Sequence, residues 1–260
     1  MQITGTITIL GSGTSQGVPV IGCQCEVCRS ADPKDQRLRT AALVSWEGNN
    51  IAIDCGPDFR QQMLRENVQS LLAVWVTHEH NDHIIGLDDV RPFNFMSHQD
   101  MEVYATPRVI KEVKKRFGYI FETNPYPGAP RIRLVEVDKS KTFNCHGLTP
   151  LPVEVIHGRL PVLGFRLGNV AYITDAKIIP EEELMKLHQL DTLVLNALHH
   201  NSHHSHLNLS EALEMVEQLK PRRTYLTHIS HRMGLFEKME PQLPEGVHLA
   251  YDGLKIPFTL

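Results

Sequence analysis

Residues 71–83 read Leu71-Leu72-Ala73-Val74-Trp75-Val76-Thr77-His78-Glu79-His80-Asn81-Asp82-His83. The run 71–77 is a continuous apolar stretch of the length and branching expected of a buried strand. It delivers the chain directly into four potential metal ligands, His78, His80, Asp82 and His83. Imidazole and carboxylate together suit zinc, manganese or iron at an open hydrolytic site, whereas structural zinc more often recruits thiolates. A polar loop rich in histidine by chance is the competing reading. It leaves unexplained why such residues crowd at the end of an apolar strand.

Outward from this stretch, 3–10, 41–46 and 50–54 read as strands, with a turn signal at Gly48-Asn49-Asn50. Pro57 opens a helix whose apolar residues Phe59, Met63 and Leu64 keep helical spacing. A helix follows near 107–117, and the Pro- and Gly-rich stretch 118–130 reads as a loop and as the best mid-chain break. Further strands are predicted at 131–137, 151–157, 163–167 and 170–174. The last third alternates helix 180–188, strand 191–197, helix 208–219 and strand 223–227. Asn208 and Glu211 fit a capping box, and Leu209, Ala212, Leu213, Val216 and Leu219 give the 208–219 helix a buried stripe. Strands and helices intermix in both halves, so a single layered α/β domain over 1–260, two sheets covered by outer helices, is expected.

With 260 residues, 42% of them hydrophobic and 22% charged, the chain can bury a substantial core. A formal net charge of −4 leaves no global basic field for a polyanion. Arg108, Lys111, Lys114, Lys115 and Arg116 form one local basic run, which reads as the solvated face of an amphipathic helix. No apolar stretch is long enough to span a membrane and no basic-then-apolar leader is visible, so a cytoplasmic protein without a membrane partner is expected. Three of the five cysteines, Cys23, Cys25 and Cys28, fall in one C-x-C-x₂-C loop, a pattern for zinc rather than for disulfides. Cys55 and Cys145 read as ordinary small buried residues.

The H-x-H-x-D-H run after a strand resembles the signature of the metallo-β-lactamase superfamily, and the likeness extends over the chain from end to end. It implies an αββα sandwich, two central mixed β-sheets flanked by helices. It also implies later ligands at strand ends, and His157, Asp175 and His228 close the predicted strands 151–157, 170–174 and 223–227. By that resemblance His78, His80 and His157 hold one divalent metal, Asp82, His83 and His228 hold the other, and Asp175 bridges them. Two ions roughly 3.5–4 Å apart share a hydroxide and lower its pKa, the basis of metal-assisted hydrolysis. Asp54 matches a buried aspartate of the family that orients ligands instead of binding metal.

The loop Gly11-Ser12-Gly13-Thr14-Ser15-Gln16-Gly17-Val18-Pro19, the cysteine cluster and Thr227-His228-Ile229-Ser230-His231 narrow the resemblance to the PhnP-like branch, phosphodiesterases of phosphoribosyl cyclic phosphate. That branch implies a structural zinc on Cys23, Cys25, Cys28 and His231, with Cys145 the less supported fourth ligand. It also implies a non-ligand histidine ahead of the 208–219 helix that protonates the leaving alkoxide. His206 fits best, and His203 or His204 is the alternative because the run 199–206 is so rich in histidine. The expected function is therefore a binuclear phosphodiesterase acting on a small or cyclic phosphodiester, with Asp82 and His206 in its catalytic apparatus. A ribonuclease Z-like endonuclease and a metabolite-binding protein of cofactor biosynthesis are the alternatives. The expected ligands are a small phosphodiester, two divalent ions (zinc, manganese or iron) and one structural zinc; nucleic acid is not expected, and a homodimer is compatible with the sequence.

Overall fold

A computed structural model describes residues 3–260. The N-terminal third builds an antiparallel run of β1 (Thr4–Gly11), β2 (Ala41–Trp46) and β3 (Asn49–Ile53). The β2–β3 hairpin turns on Glu47 and Gly48, both at positive φ (46° and 80°), which matches the twist of a two-residue hairpin loop. Asn49, expected in the turn, already belongs to the strand. Helix α1 (Phe59–Arg65) leads to β4 (Ala73–Trp75), which is shorter than the apolar run that predicts it. After β4 come the short helices α2 (Asn81–Ile84) and α3 (Arg91–Ser97), then β5 (Met101–Ala105), α4 (Pro107–Arg116) and β6 (Ile132–Glu136). Strands β3 to β6 pair in parallel through β3–β4, β4–β5 and β5–β6.

The second sheet begins with antiparallel β7 (Leu151–His157), β8 (Leu160–Leu167) and β9 (Val170–Ile173). It continues through α5 (Glu181–Leu184), β10 (Thr192–Asn196), α6 (Leu209–Leu219), β11 (Arg223–Thr227), α7 (Phe236–Met239) and β12 (Val247–Leu249). From β9 to β12 the strands are parallel. The chain then returns to the first sheet, where β13 (Lys255–Thr259) lies antiparallel to β1. The two sheet orders are β13-β1-β2-β3-β4-β5-β6 and β12-β11-β10-β9-β8-β7.

Three apolar layers hold these sheets. Ile7, Trp46, Trp75 and Phe258 of the first sheet meet Phe165, Tyr172 and Val194 of the second in the central layer. Phe59, Leu87, Phe93 and Val109 close the outer face of the first sheet under α1, α3 and α4. Leu187, Leu209, Ala212 and Phe236 do the same for the second. This is the expected αββα sandwich of two mixed sheets flanked by helices.

Two expectations need correction. The stretch 118–130 is not the break between halves, because β6 follows it and joins the first sheet; the chain crosses between sheets in 137–150. Its Pro and Gly content marks a surface return from α4, whereas the true crossing is anchored by buried Val137, Cys145 and Leu148 and has no compositional signature. The helix predicted at 180–188 is one turn, α5, that tightens into a 3₁₀ turn at Met185–Leu187. The capping box is as expected: Glu211 N donates to Asn208 Oδ1 (2.9 Å) and Asn208 N to Glu211 Oε2 (3.0 Å).

The segment after β3 packs backbone to backbone against 82–86. Cys55 N donates to the His83 carbonyl (2.7 Å) and Gly86 N to the Cys55 carbonyl (2.9 Å). A Cβ on Gly56 would lie 2.0 Å from the Asp82 carbonyl oxygen, so only glycine permits this approach. Gly56→Ala should destabilise the fold by about 1–3 kcal/mol, the usual cost of overpacking. Gly118→Ala, at an exposed position where the backbone is not left-handed and a Cβ meets nothing within 4 Å, should cost less in the same urea titration. Equal losses would refute the close-approach argument.

Candidate active site

Strand ends from both sheets deliver the candidate ligands to one place. β4 leads into His78, His80, Asp82 and His83; β7 ends on His157; Asp175 lies two residues past β9; His228 follows β11. Side-chain ligand atoms of His78, His80 and His157 lie within 4.8 Å of one another, and so do those of Asp82, His83 and His228. Asp175 adjoins both groups: its carboxylate clusters with His78 and His83 and also with His157 and His206, with Oδ2 3.4 Å from His83 Nε2 and Oδ1 3.2 Å from His228 Nε2. Asp54, Asp175 and His228 all carry positive φ (67°, 58° and 56°), a costly conformation for residues other than glycine that concentrates at functional sites.

Three of the five rings, those of His78, His83 and His157, are oriented by a neighbour on Nδ1. His83 Nδ1 donates to Asp54 Oδ2 at 2.7 Å and His157 Nδ1 to the Ser205 carbonyl at 2.8 Å. Thr77 Oγ1 lies 3.0 Å from His78 Nδ1 and also bonds both Asp54 oxygens, at 3.0 and 2.9 Å. Thr77 Oγ1 and the Ser205 carbonyl were not singled out from sequence. One adjoins a ligand in the chain, but the other gives no sequence signal because a main-chain acceptor is independent of residue type.

Some ligand nitrogens lack partners. His83 Nε2 and His228 Nε2 are buried without a hydrogen bond, and His83 Nε2 faces Asp82 Oδ2 at 3.3 Å. With Nδ1 committed as a donor to Asp54, a neutral His83 turns a lone pair toward two carboxylates. Burial by itself would lower the His83 pKa, but Asp54 and Asp175 push it well above the usual imidazole value. Burial likewise opposes ionisation of Asp175, yet His228 and His83 hold its carboxyl well below the usual range. A centre that attracts positive charge, lined by unpaired nitrogen and oxygen donors, fits divalent cations.

His206 is buried beside this centre. Its ring centroid lies 4.5 Å from that of His157 and 4.6 Å from that of His228, and its Nδ1 is 3.8 Å from Asp175 Oδ1 and has no hydrogen bond. Burial, more than the neighbouring His228, drives its pKa down. The His206 ligand atom also groups with His157 and Asp175, so the geometry alone fits a ligand as well as a proton donor. The His203 ring lies 5.2 Å from that of His206, and His204 is exposed.

Cys23, Cys25 and Cys28 face His231 Nδ1 at 3.3, 3.3 and 3.5 Å. Backbone N–H groups of Val20 and Cys28 point at the sulfurs of Cys28 and Cys25 (3.3 and 3.5 Å). Burial would raise the Cys25 thiol pKa, but the Cys28 amide and the His231 ring bring it down to about 6. Three sulfurs and one imidazole nitrogen suit tetrahedral zinc. Cys145 is remote from this cluster, buried against Trp75 Nε1 at 3.4 Å, and therefore is not the fourth ligand. The basic run on α4 also needs revision. Lys111, Lys114 and Lys115 are exposed as expected, but Arg108 bonds Glu79 and the Pro161 carbonyl, and Arg116 bonds the Glu79 carbonyl and Asn81.

Comparison with known proteins agrees with this geometry. Residues 49–229 match the Beta-lactamase superfamily domain. The crystal structure of a new diphosphatase from the PhnP family superposes with a TM-score of 0.94, at 42% identity, over 100% of this chain and 99% of that one. An octanoyltransferase of Porphyromonas gingivalis is 43% identical over 95% of this chain, which spans only 50% of that protein's length. A ribonuclease Z of Pyrobaculum islandicum is 26% identical over 78% of this chain and 84% of its own. Among the described residues no helix is long and apolar enough to cross a membrane. The family match and the likeness to the PhnP-family structure show that this chain belongs to the metallo-β-lactamase superfamily, in its PhnP-like branch.

Proposed function

We propose that the chain is a single-domain binuclear phosphodiesterase that cleaves a small or cyclic phosphodiester. The observation that carries this reading is the convergence of seven candidate ligand side chains with a further buried histidine, His206, whose Nδ1 has no hydrogen bond. Two divalent cations bound there would supply a nucleophile active at neutral pH and would neutralise charge developing on phosphoryl oxygens. His78, His80 and His157 are assigned to one ion, Asp82, His83 and His228 to the other, and Asp175 to both. Asp54 and Thr77 keep the His83 and His78 rings turned inward. His206 would donate a proton from Nδ1 or the opposite nitrogen to the leaving alkoxide. Cys23, Cys25, Cys28 and His231 hold a structural zinc. The diphosphatase named above supports phosphorus as the electrophile and adds diphosphates to the substrates worth assaying. The formal net charge of −4 places transfer RNA second.

The class is tested by metal-reconstituted protein against cyclic and linear phosphodiesters, diphosphates, precursor transfer RNA, lactones and thioesters. Turnover confined to the last two would reject it, and efficient cleavage of the RNA alone would favour the endonuclease. Elemental analysis should find three ions per chain; Asp175→Ala should lose the active-site pair and activity while retaining zinc, and retention of the pair would remove the bridging role. Cys25→Ser should lower zinc content and melting temperature together, and no change in either would contradict a structural zinc. His206→Ala should slow alkyl phosphodiesters by about 10²–10⁴-fold, the scale of general acid catalysis, while sparing aryl esters whose leaving group needs no proton. Equal losses on both substrate types would instead make His206 a binding group, and loss of an ion would make it a ligand.

A further inference from the structure

We propose that Arg108 is a positioning residue of the active site, tying the His80 segment to the hairpin after His157 and so tuning the His78–His80–His157 half for its cation. The inference rests on the two-metal reading above. Of the five ligand histidines, His80 and His228 lack an outward hydrogen-bond partner, and of these two His228 is buried while His80 is not. His80 is exposed, and the single hydrogen-bond contact of its ring is His78 Nε2 at 3.0 Å, itself a candidate ligand. His78, His83 and His157 each have an outward partner, Thr77, Asp54 or the Ser205 carbonyl. The position of His80 must therefore be set through its backbone.

Both ends of helix α4 hold that segment, Arg108 through the Glu79 side chain and Arg116 through the Glu79 main chain. Arg108 Nη1 donates to Glu79 Oε1, and its Nη2 donates to the carbonyl of Pro161. Glu79 lies between His78 and His80, and Pro161 pairs with Ile156, one residue before His157. Arg116 donates to the Glu79 carbonyl and, at 3.0 Å, to Asn81 Oδ1. The Glu79 side chain is only 12% exposed, and its Oε2 is buried without a partner, so Arg108 is its one counter-charge within bonding distance. A planar guanidinium can serve two acceptors on separate elements at fixed angles, which an ammonium cannot. The Asp82–His83–His228 half is braced separately by Asp54 in the core.

Removing Arg108 alone would also remove a positive charge near a cation, an effect of opposite sign. The decisive variant is therefore Glu79→Ala/Arg108→Ala, which leaves net charge unchanged. Apo protein that retains its thiolate zinc is titrated with Co(II), following its visible d–d absorption, alongside melting temperature. We expect one ion to bind as in the wild type and the other to bind about 10–100-fold more weakly, the usual effect of losing a ligand's supporting contacts. Two wild-type affinities, or equal weakening of both ions, would overturn the inference alone. A wild-type protein that takes up fewer than two Co(II) would bring down the two-metal reading and this inference with it. Should the double variant not fold, Arg108→Lys serves: keeping one acceptor, it should weaken the same ion less, and wild-type binding would count against the role of the fork.

Discussion

Asp54 holds a carboxylate in a place with no access to water, and the site is organised around what that requires. Its oxygens take the Thr77 amide at 2.8 Å, the Thr77 hydroxyl and the His83 ring at 2.7 Å. Burial pushes its pKa up while His83 and Thr77 pull it down. Breaking such a buried pair from one side typically costs about 3–5 kcal/mol, because the surviving charge is left uncompensated. The main chain joins in, with Asp54 N donating to the Trp75 carbonyl (2.9 Å) and so extending the β3–β4 ladder past its last paired residues. The ladder, the carboxylate and the first turn of the ligand segment thus fix one another.

His228 is held by different means. Its ring has no hydrogen bond, but the residue after it is threaded into the N-terminal loop: Ile229 N donates to the Ser12 carbonyl (2.9 Å) and Thr14 N to the Ile229 carbonyl (3.1 Å). Two residues further, His231 enters the thiolate cluster. Buried Arg37 bonds Ser12 Oγ, and Asp252 accepts from both the Ser12 amide and its hydroxyl at 2.8 Å. The second sheet's contribution to the centre is therefore braced by residues distant in sequence.

Much of this was legible in the chain. The run into His78 is strong because apolar length and ligand density coincide, and Asn208 with Glu211 marks the start of α6 by local chemistry. His157, Asp175 and His228 became readable once the motif supplied an order to look for. The segment 81–97 was not, since α2 and α3 are too short for helical periodicity to accumulate and Pro92 interrupts the pattern. Strand β5 was passed over between two helical stretches, and β12, at three residues, is held by its neighbours more than by its own composition. The periodicity of α4 identifies Val109 and Val113 as its buried face. It carries no information on what stands above Arg108 and Arg116, because those contacts bridge tens of residues.

Strand β13 lies beside β1 with Thr259 opposite Thr4, while the other end of β1 runs through Gly11 to the loop that brackets His228. Eight residues of extended chain, roughly 25 Å, separate that pairing from the catalytic end of the sheet. Both ends of the described polypeptide thus lie together at the end of the first sheet opposite the candidate ligands. A module tethered there would leave the approach of substrate sterically free, and the two bodies could share a chain without sharing a mouth.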